Sequence, residues 1–143
     1  MTTRVFCVKN ILMNYEDKQL VVTFVVPGRP VGKQRPRKGK YGRFYTPKKT
    51  QNYEEYIALK YMSEYQKMIV FGKDEKVYMG LMIYFEDNRR PDPNNVARLV
   101  ADALEGYIYH NDKTVCQTFD YGFDKENPRI EIKVYKDKDE EDE

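Results

Sequence analysis

The stretch Arg89-Arg90-Pro91-Asp92-Pro93-Asn94-Asn95-Val96-Ala97-Arg98-Leu99-Val100-Ala101-Asp102-Ala103-Leu104-Glu105-Gly106 reads as a loop that tips straight into a helix. Val96, Leu99, Val100, Ala103 and Leu104 recur at helical spacing and make one apolar stripe. Asp92 and Pro93 suit the N-cap and first helical position. Gly106 stands where a helix C-terminus is expected. Asn95, Arg98 and Asp102 share one polar side, and Asn111-Asp112 follows a few residues on. Taken alone, the cluster has a plain structural reading: Asp92 caps, and Arg98 pairs with Asp102 one turn later.

The 143 residues fit one domain with a single core. Hydrophobic content of 41% and charged content of 34% describe a soluble, polar-surfaced globule. The longest apolar run, around residues 21–26, is far too short to span a bilayer. The N-terminus lacks a secretory pattern, so a cytoplasmic location is expected. Cys7 and Cys116 are expected to be plain small hydrophobes in a reducing compartment. His110 is the single histidine, which argues against zinc sites built on several His and Cys ligands. The net charge of +2 hides an asymmetry. Residues 136–143 hold six acids against two lysines, while the other 135 residues carry 23 bases against 17 acids. A basic body of this kind suits a polyanionic partner, and the acidic tail is expected to be disordered.

Along the chain, residues 1–18 are an N-terminal extension with a possible short strand at Val5-Phe6-Cys7-Val8. The β-branched run 19–26 reads as a buried strand. Between Arg29 and Lys49 lie nine basic residues and no acid, interleaved with Tyr41, Phe44 and Tyr45. Glycines and prolines there argue against regular structure, and a long loop in a small domain is usually functional. Lys33, Arg35, Arg37, Lys38, Lys40 and Arg43, with Arg90 ahead of the central helix, are the candidate nucleic-acid contacts, and the rings could stack on exposed bases. A first helix is expected from Thr46 as cap and Pro47 as first residue to about residue 68, its tyrosine stripe forming a core edge. Residues 76–86 read as a strand, and 114–121 with 129–135 as an antiparallel hairpin. The expected fold is α+β: a mixed sheet of about four to five strands with two main helices on one face, in one domain over 1–135.

Mg²⁺ takes oxygen ligands, often one or two carboxylates plus waters and substrate phosphate. Asp92 and Asp112 flank the same short helix and are expected to approach each other. Two metal ions could then stabilise the attacking and leaving oxygens of a phosphoryl displacement. Arg98 could hold a phosphate oxygen. Together with the basic segment, these residues point to a metal-dependent nuclease.

The motifs also resemble the RusA family of Holliday-junction resolvases, found in bacterial phages and prophages. That family carries Gly-x-Pro-x-x-Lys-x-Arg-Pro-Arg, matched by Gly28-Arg29-Pro30-Val31-Gly32-Lys33-Gln34-Arg35-Pro36-Arg37. Its Tyr-Thr-Pro is matched by Tyr45-Thr46-Pro47. Its central signature, Arg-x-Asp-x-Asp-Asn-x-x-Lys then Asp-Ala-Leu then Asp-Asp, is matched by residues 90–98, by Asp102-Ala103-Leu104 and by Asn111-Asp112. The resemblance covers roughly residues 20–135. It implies a RusA-like fold and Mg²⁺-dependent (Mn²⁺ being a substitute) cleavage of branched, four-way DNA by a homodimer. Paired nicks would leave 5′-phosphate ends, in recombination and repair. It places catalytic roles on Asp92, Asn94, Arg98 and Asp112, with Asp92, Asn94 and Asp112 as metal ligands and Asp102 as a possible helper.

Three positions depart from the family pattern. Asn94 stands for an aspartate and removes a charge from a metal site. Arg98 stands for a lysine, and Asn111 for the first of an acidic pair. The change at Asn94 fits either a natural variant compensated by Asp102 or a silenced, junction-binding form. A general single-strand binder using the basic, aromatic segment is a third reading, distinguished by its indifference to branching.

Overall fold

The computed structural model describes residues 17–66 and 68–138. Four long strands build the main sheet: β1 (Lys18–Pro27), β4 (Val77–Phe85), β5 (Val115–Phe123) and β6 (Arg129–Asp137). Between β1 and the first helix lies a two-stranded ribbon of β2 (Arg37–Lys38) and β3 (Phe44–Tyr45). The helices are α1 (Lys48–Tyr65) and α2 (Pro93–Leu104).

The sheet runs β1-β6-β4-β5. β6 is antiparallel to both β1 and β4, and β4 is parallel to β5. This is the α+β architecture expected from the sequence, a mixed sheet with both helices on one face. The burial pattern selects that face. Val22, Phe24 and Val26 of β1 are buried, as are Met79, Leu81 and Ile83 of β4 and Ile130, Ile132 and Val134 of β6. Their registers place Val22, Val134, Met79 and Gln117 in one row across four strands, and Phe24, Ile132 and Leu81 in the next. Side chains two residues apart share a face, so these rows form a continuous apolar floor. α2 lays Val96, Leu99, Val100, Ala103 and Leu104 onto it, all buried. α1 contributes Tyr53, Ile57 and Tyr61. The ring of Tyr61 lies 5.9 Å from that of Phe24. The Tyr65 hydroxyl accepts from the Thr23 backbone N–H and donates to the Thr23 carbonyl, each at 2.7 Å. The tyrosine stripe is thus a core edge.

Several local expectations are corrected. Strands β5 and β6 do not pair with each other, because β4 lies between them. The 124–128 segment resembles a hairpin turn but crosses the end of β4 instead, the Asp124 N–H donating to the Phe85 carbonyl at 2.8 Å. The parallel β4–β5 pair is made possible by α2, which supplies the crossover such a pair needs. β1 is an edge strand with an exposed side, not a buried strand: Leu20 is 46% and Val25 43% exposed. A register shift occurs between Leu20 and Val22. The basic segment is not wholly irregular, since its middle folds into the β2–β3 ribbon. α1 begins at Lys48 with Pro47 as its N-cap, so Thr46 does not cap it. Its end at Tyr65 is set by Gln66, whose left-handed backbone (φ 50°) returns its N–H to Met62. β6 runs into the stretch read as a tail because Asp137 pairs with Lys18 at 2.9 Å. Cys116 is half-buried on β5. Cys7, the Val5–Val8 strand and residues 139–143 lie outside the described residues.

Candidate active site

α2 sets the site. Asp92 is its N-cap, accepting the Asn94 N–H at 2.9 Å on one carboxylate oxygen, with Pro93 opening the helix. The capping half of the sequence reading holds. The chain enters α2 from β4 and leaves towards β5, so Asp92 and the 105–114 loop sit at opposite ends of the helix. Twelve helical residues span about 18 Å at 1.5 Å per residue. Asp92 and Asp112 therefore line separate clefts within one chain, and the expected close approach between them is not present.

The exit loop is firmly built. The Gly106 N–H donates to the Tyr109 carbonyl at 2.7 Å, and Gly106 takes φ +84°, a left-handed backbone that glycine adopts without strain. The buried Tyr109 hydroxyl donates to the Ala101 carbonyl at 2.5 Å, pinning the loop back onto α2. Asn111 caps a short 3₁₀ turn, Asp112–Thr114, by accepting the Lys113 N–H at 2.9 Å. An amide oxygen does this as well as a carboxylate, which accounts physically for Asn111 in place of an acid. The Asp112 N–H donates to Glu105 Oε1 at 3.1 Å, which ties the backbone of the turn to the end of α2.

Asp112, Asp102, Arg98, Lys33, Ala101, Val115 and Gln117 line a cleft of about 290 Å³. Gln117, buried on β5, donates to the Ala97 carbonyl at 2.8 Å and so fixes α2 to the sheet at the cleft floor. The Asp112 carboxyl is held above the ordinary carboxylate range. Burial is the largest cause, followed by the charge of Glu105 and the hydrogen bond and charge of Asp102, with Lys33 opposing them. Glu54 of α1 is also raised, first by burial and then by Asp102. Arg98 does not pair with Asp102 as the helical spacing invited. Asp102 is instead ion-paired to the Lys33 ammonium.

Lys33 joins this cleft to a second, of about 380 Å³, lined by Asp92, Asn95, Pro91, Lys49 and the 30–34 segment. The Lys33 N–H donates to the Asn95 carbonyl at 3.0 Å. Gly32 makes that docking possible: a Cβ there would lie 2.9 Å from Pro91 Cβ and 3.4 Å from Asn95 Cβ. The 30–34 root of the basic segment thus lies along the polar side of α2, between Asp92 at one end and Asp102 with Asp112 at the other.

The remaining sequence candidates fall in different places. Asn94 is exposed and lines neither cleft. Arg35, Lys38, Lys40 and Arg43 are exposed on the basic segment, while the Arg37 side chain is not described. Arg90 is half-buried, its guanidinium carbon 4.6 Å from the Tyr121 ring centroid and 5.6 Å from that of Phe85. That stacking gives it a structural seat on the sheet. Among the described residues, no three His, Cys, Asp or Glu side chains converge as a ready-made cation site. Glu54, Glu105 and Gln117 were not singled out from sequence. Only Glu105, three residues after Asp102 on the same helix side, offered a local signal.

Residues 27–135 match the family model described as endodeoxyribonuclease RusA. The chain belongs to the RusA endodeoxyribonuclease family. It is also similar to the uncharacterized protein YqaN of Bacillus subtilis (strain 168), 27% identical over 137 residues covering 79% of this chain and 94% of that protein. No described helix is long and apolar enough to cross a membrane.

Proposed function

We propose that this chain is a metal-dependent endonuclease that resolves four-way DNA junctions, working as a homodimer that nicks paired strands. The observation that carries this reading is the docking of an acid-free basic segment onto a helix whose two ends present carboxylates, Asp92 at one and Asp102 with Asp112 at the other.

The acidic groups in the Asp112 cleft are carboxylates, crowded against one another with Lys33 opposing their charge. Such a set fits Mg²⁺, with Mn²⁺ as a substitute, better than a softer ion. Asp102 and Asp112 would hold an ion at one end of α2, and Asp92 with Asn94 beside it would meet the phosphate through a second ion at the other. When bound, the ion would supply Lewis-acid stabilisation of the phosphate and a more acidic water. The chain supplies the rest. Arg98 presents a fork of donors to non-bridging phosphate oxygens. Glu105 holds the backbone of Asp112 at the end of α2. Lys33, Arg35, Lys38, Lys40 and Arg43 hold the flanking DNA without reading its sequence. Two-fold pairing of chains would match the symmetry of a four-way junction.

Asn94 favours a second reading, a chain that grips junctions but cuts them slowly or not at all. An uncharged amide stands where the family signature has an aspartate, and an amide oxygen holds Mg²⁺ less strongly. Cleavage of a labelled four-way junction in Mg²⁺ and Mn²⁺ by this chain and by Asn94→Asp separates the two. Symmetric nicking by both supports the working nuclease. Nicking by the variant alone supports the silenced form. Nicking by neither, with no junction preference, contradicts both.

A further inference from the structure

The β2–β3 ribbon has features that phosphate binding does not require. Its ladder is only two pairs long, Arg37 with Tyr45 and Lys38 with Phe44. The tip is closed tightly: the Gly39 N–H donates to the Arg43 carbonyl at 2.6 Å, and Gly42 takes φ +77°. From this tip Tyr41 and Phe44 project into solvent, 84% and 73% exposed. Rings this exposed contribute little to the core, and burying them would recover a large apolar area. Lys38, Lys40 and Arg43 surround them and form no ion pair among the described residues, whereas Arg29 and Lys33 at the segment's root do. The Lys40 ammonium lies 5.9 Å from the Tyr41 ring centroid.

We infer that this ribbon tip is a stacking probe for unstacked bases at the branch point of the DNA, with Tyr41 and Phe44 as its contact residues. The inference rests on the reading of the chain as a junction nuclease and adds how a junction is told from a duplex. Rings bind base faces, and base faces are open only where stacking is interrupted; inside a duplex they are covered. The surrounding charge selects a polyanion and disfavours a second copy of the same basic tip. A ladder of two pairs is too short to follow a groove, so the ribbon acts as a point probe. Charge brings it to DNA of any form, and the rings give the preference for branched DNA.

The test compares the parent with the Tyr41→Ala/Phe44→Ala double variant. Both bind, at matched salt and without divalent cation, a four-way junction carrying 2-aminopurine at the branch and a linear duplex of the same sequence. The expected result is a loss of junction affinity of about tenfold or more, from at least one stacked base. Duplex affinity stays unchanged, which also reports that the variant is folded. The 2-aminopurine signal changes with the parent and not with the variant, and Tyr41→Trp/Phe44→Trp restores it. Lys38→Gln/Lys40→Gln, by contrast, weakens both substrates alike and lowers the salt dependence. Equal loss on junction and duplex, or no loss on either, overturns the inference while leaving the nuclease reading intact if the parent still prefers junctions. A parent with no junction preference overturns both.

Discussion

The Lys33 ammonium is ion-paired to the Asp102 carboxylate across 69 residues of sequence, tying the basic segment to the acidic end of α2. The same lysine holds the N-terminal turn of α2 through its backbone. Loop and helix therefore form one surface, and any cation entering the cleft meets an ammonium already there. Replacing Lys33 with glutamine leaves Asp102 and Asp112 facing each other with less compensation. A partly exposed pair is worth little by itself, so melting without metal is expected to fall by only about 2 °C. Mg²⁺ is expected to raise the melting temperature of Lys33→Gln more than that of the parent. Thermal denaturation with and without Mg²⁺ checks this, and equal shifts in the two proteins would count against Lys33 as the cleft's counter-ion.

Asp112 links function to stability through pH. Its folded carboxyl is raised above the ordinary range by burial, Glu105 and Asp102, so folding favours its protonated form. The associated stability is fully present below the ordinary carboxylate pKa and is lost as pH rises through the folded value. At neutral pH the parent therefore carries an unfavourable charge. Asp112→Asn is expected to melt a degree or more higher than the parent near pH 7, with the gain vanishing in acid. Melting curves across pH read this out, and a gain that persisted in acid would point to packing instead of charge.

Asp92 has two duties that conservative variants separate. Its side chain caps α2, and its charge lies in the Lys49 cleft. Asparagine caps nearly as well as aspartate, so Asp92→Asn should keep parental stability while cleavage falls. Alanine removes the cap as well and should cost about 1 kcal/mol of folding stability. Denaturant titration beside a nicking assay distinguishes the two losses. If Asp92→Asn cut junctions at the parental rate, Asp92 would be a cap and nothing more.

What was legible in the sequence was the part written locally. The apolar stripe, cap and glycine stop of α2 are each set within a few residues, and the helix formed as read. The double-sided apolar character of residues 77–85 blurred their alternation because β4 is central, with outward positions Tyr78, Met82 and Tyr84 still half-buried. Strand partners were not legible. A five-residue turn between two β-rich runs invites a hairpin, and nothing local states that β4 will occupy the place beside β6. The site divided in the same way. Asp92 and Asp112 stood out as carboxylates at the edges of α2, but the length of that helix keeps them apart. Arg98 and Asp102 had the spacing to pair, yet a lysine from the other end of the fold took the aspartate. Glu54 reached the cluster only because α1 packs beside α2.

The most direct test of the central proposal is cleavage of an end-labelled four-way junction in Mg²⁺ by the parent and by Asp112→Asn, with the duplex of the same sequence as control. Paired nicks by the parent on the junction alone, reduced at least a hundredfold in a variant that melts no lower, are the expected result. A variant that nicks as fast as the parent, or a parent that cuts the duplex as readily as the junction, would contradict it.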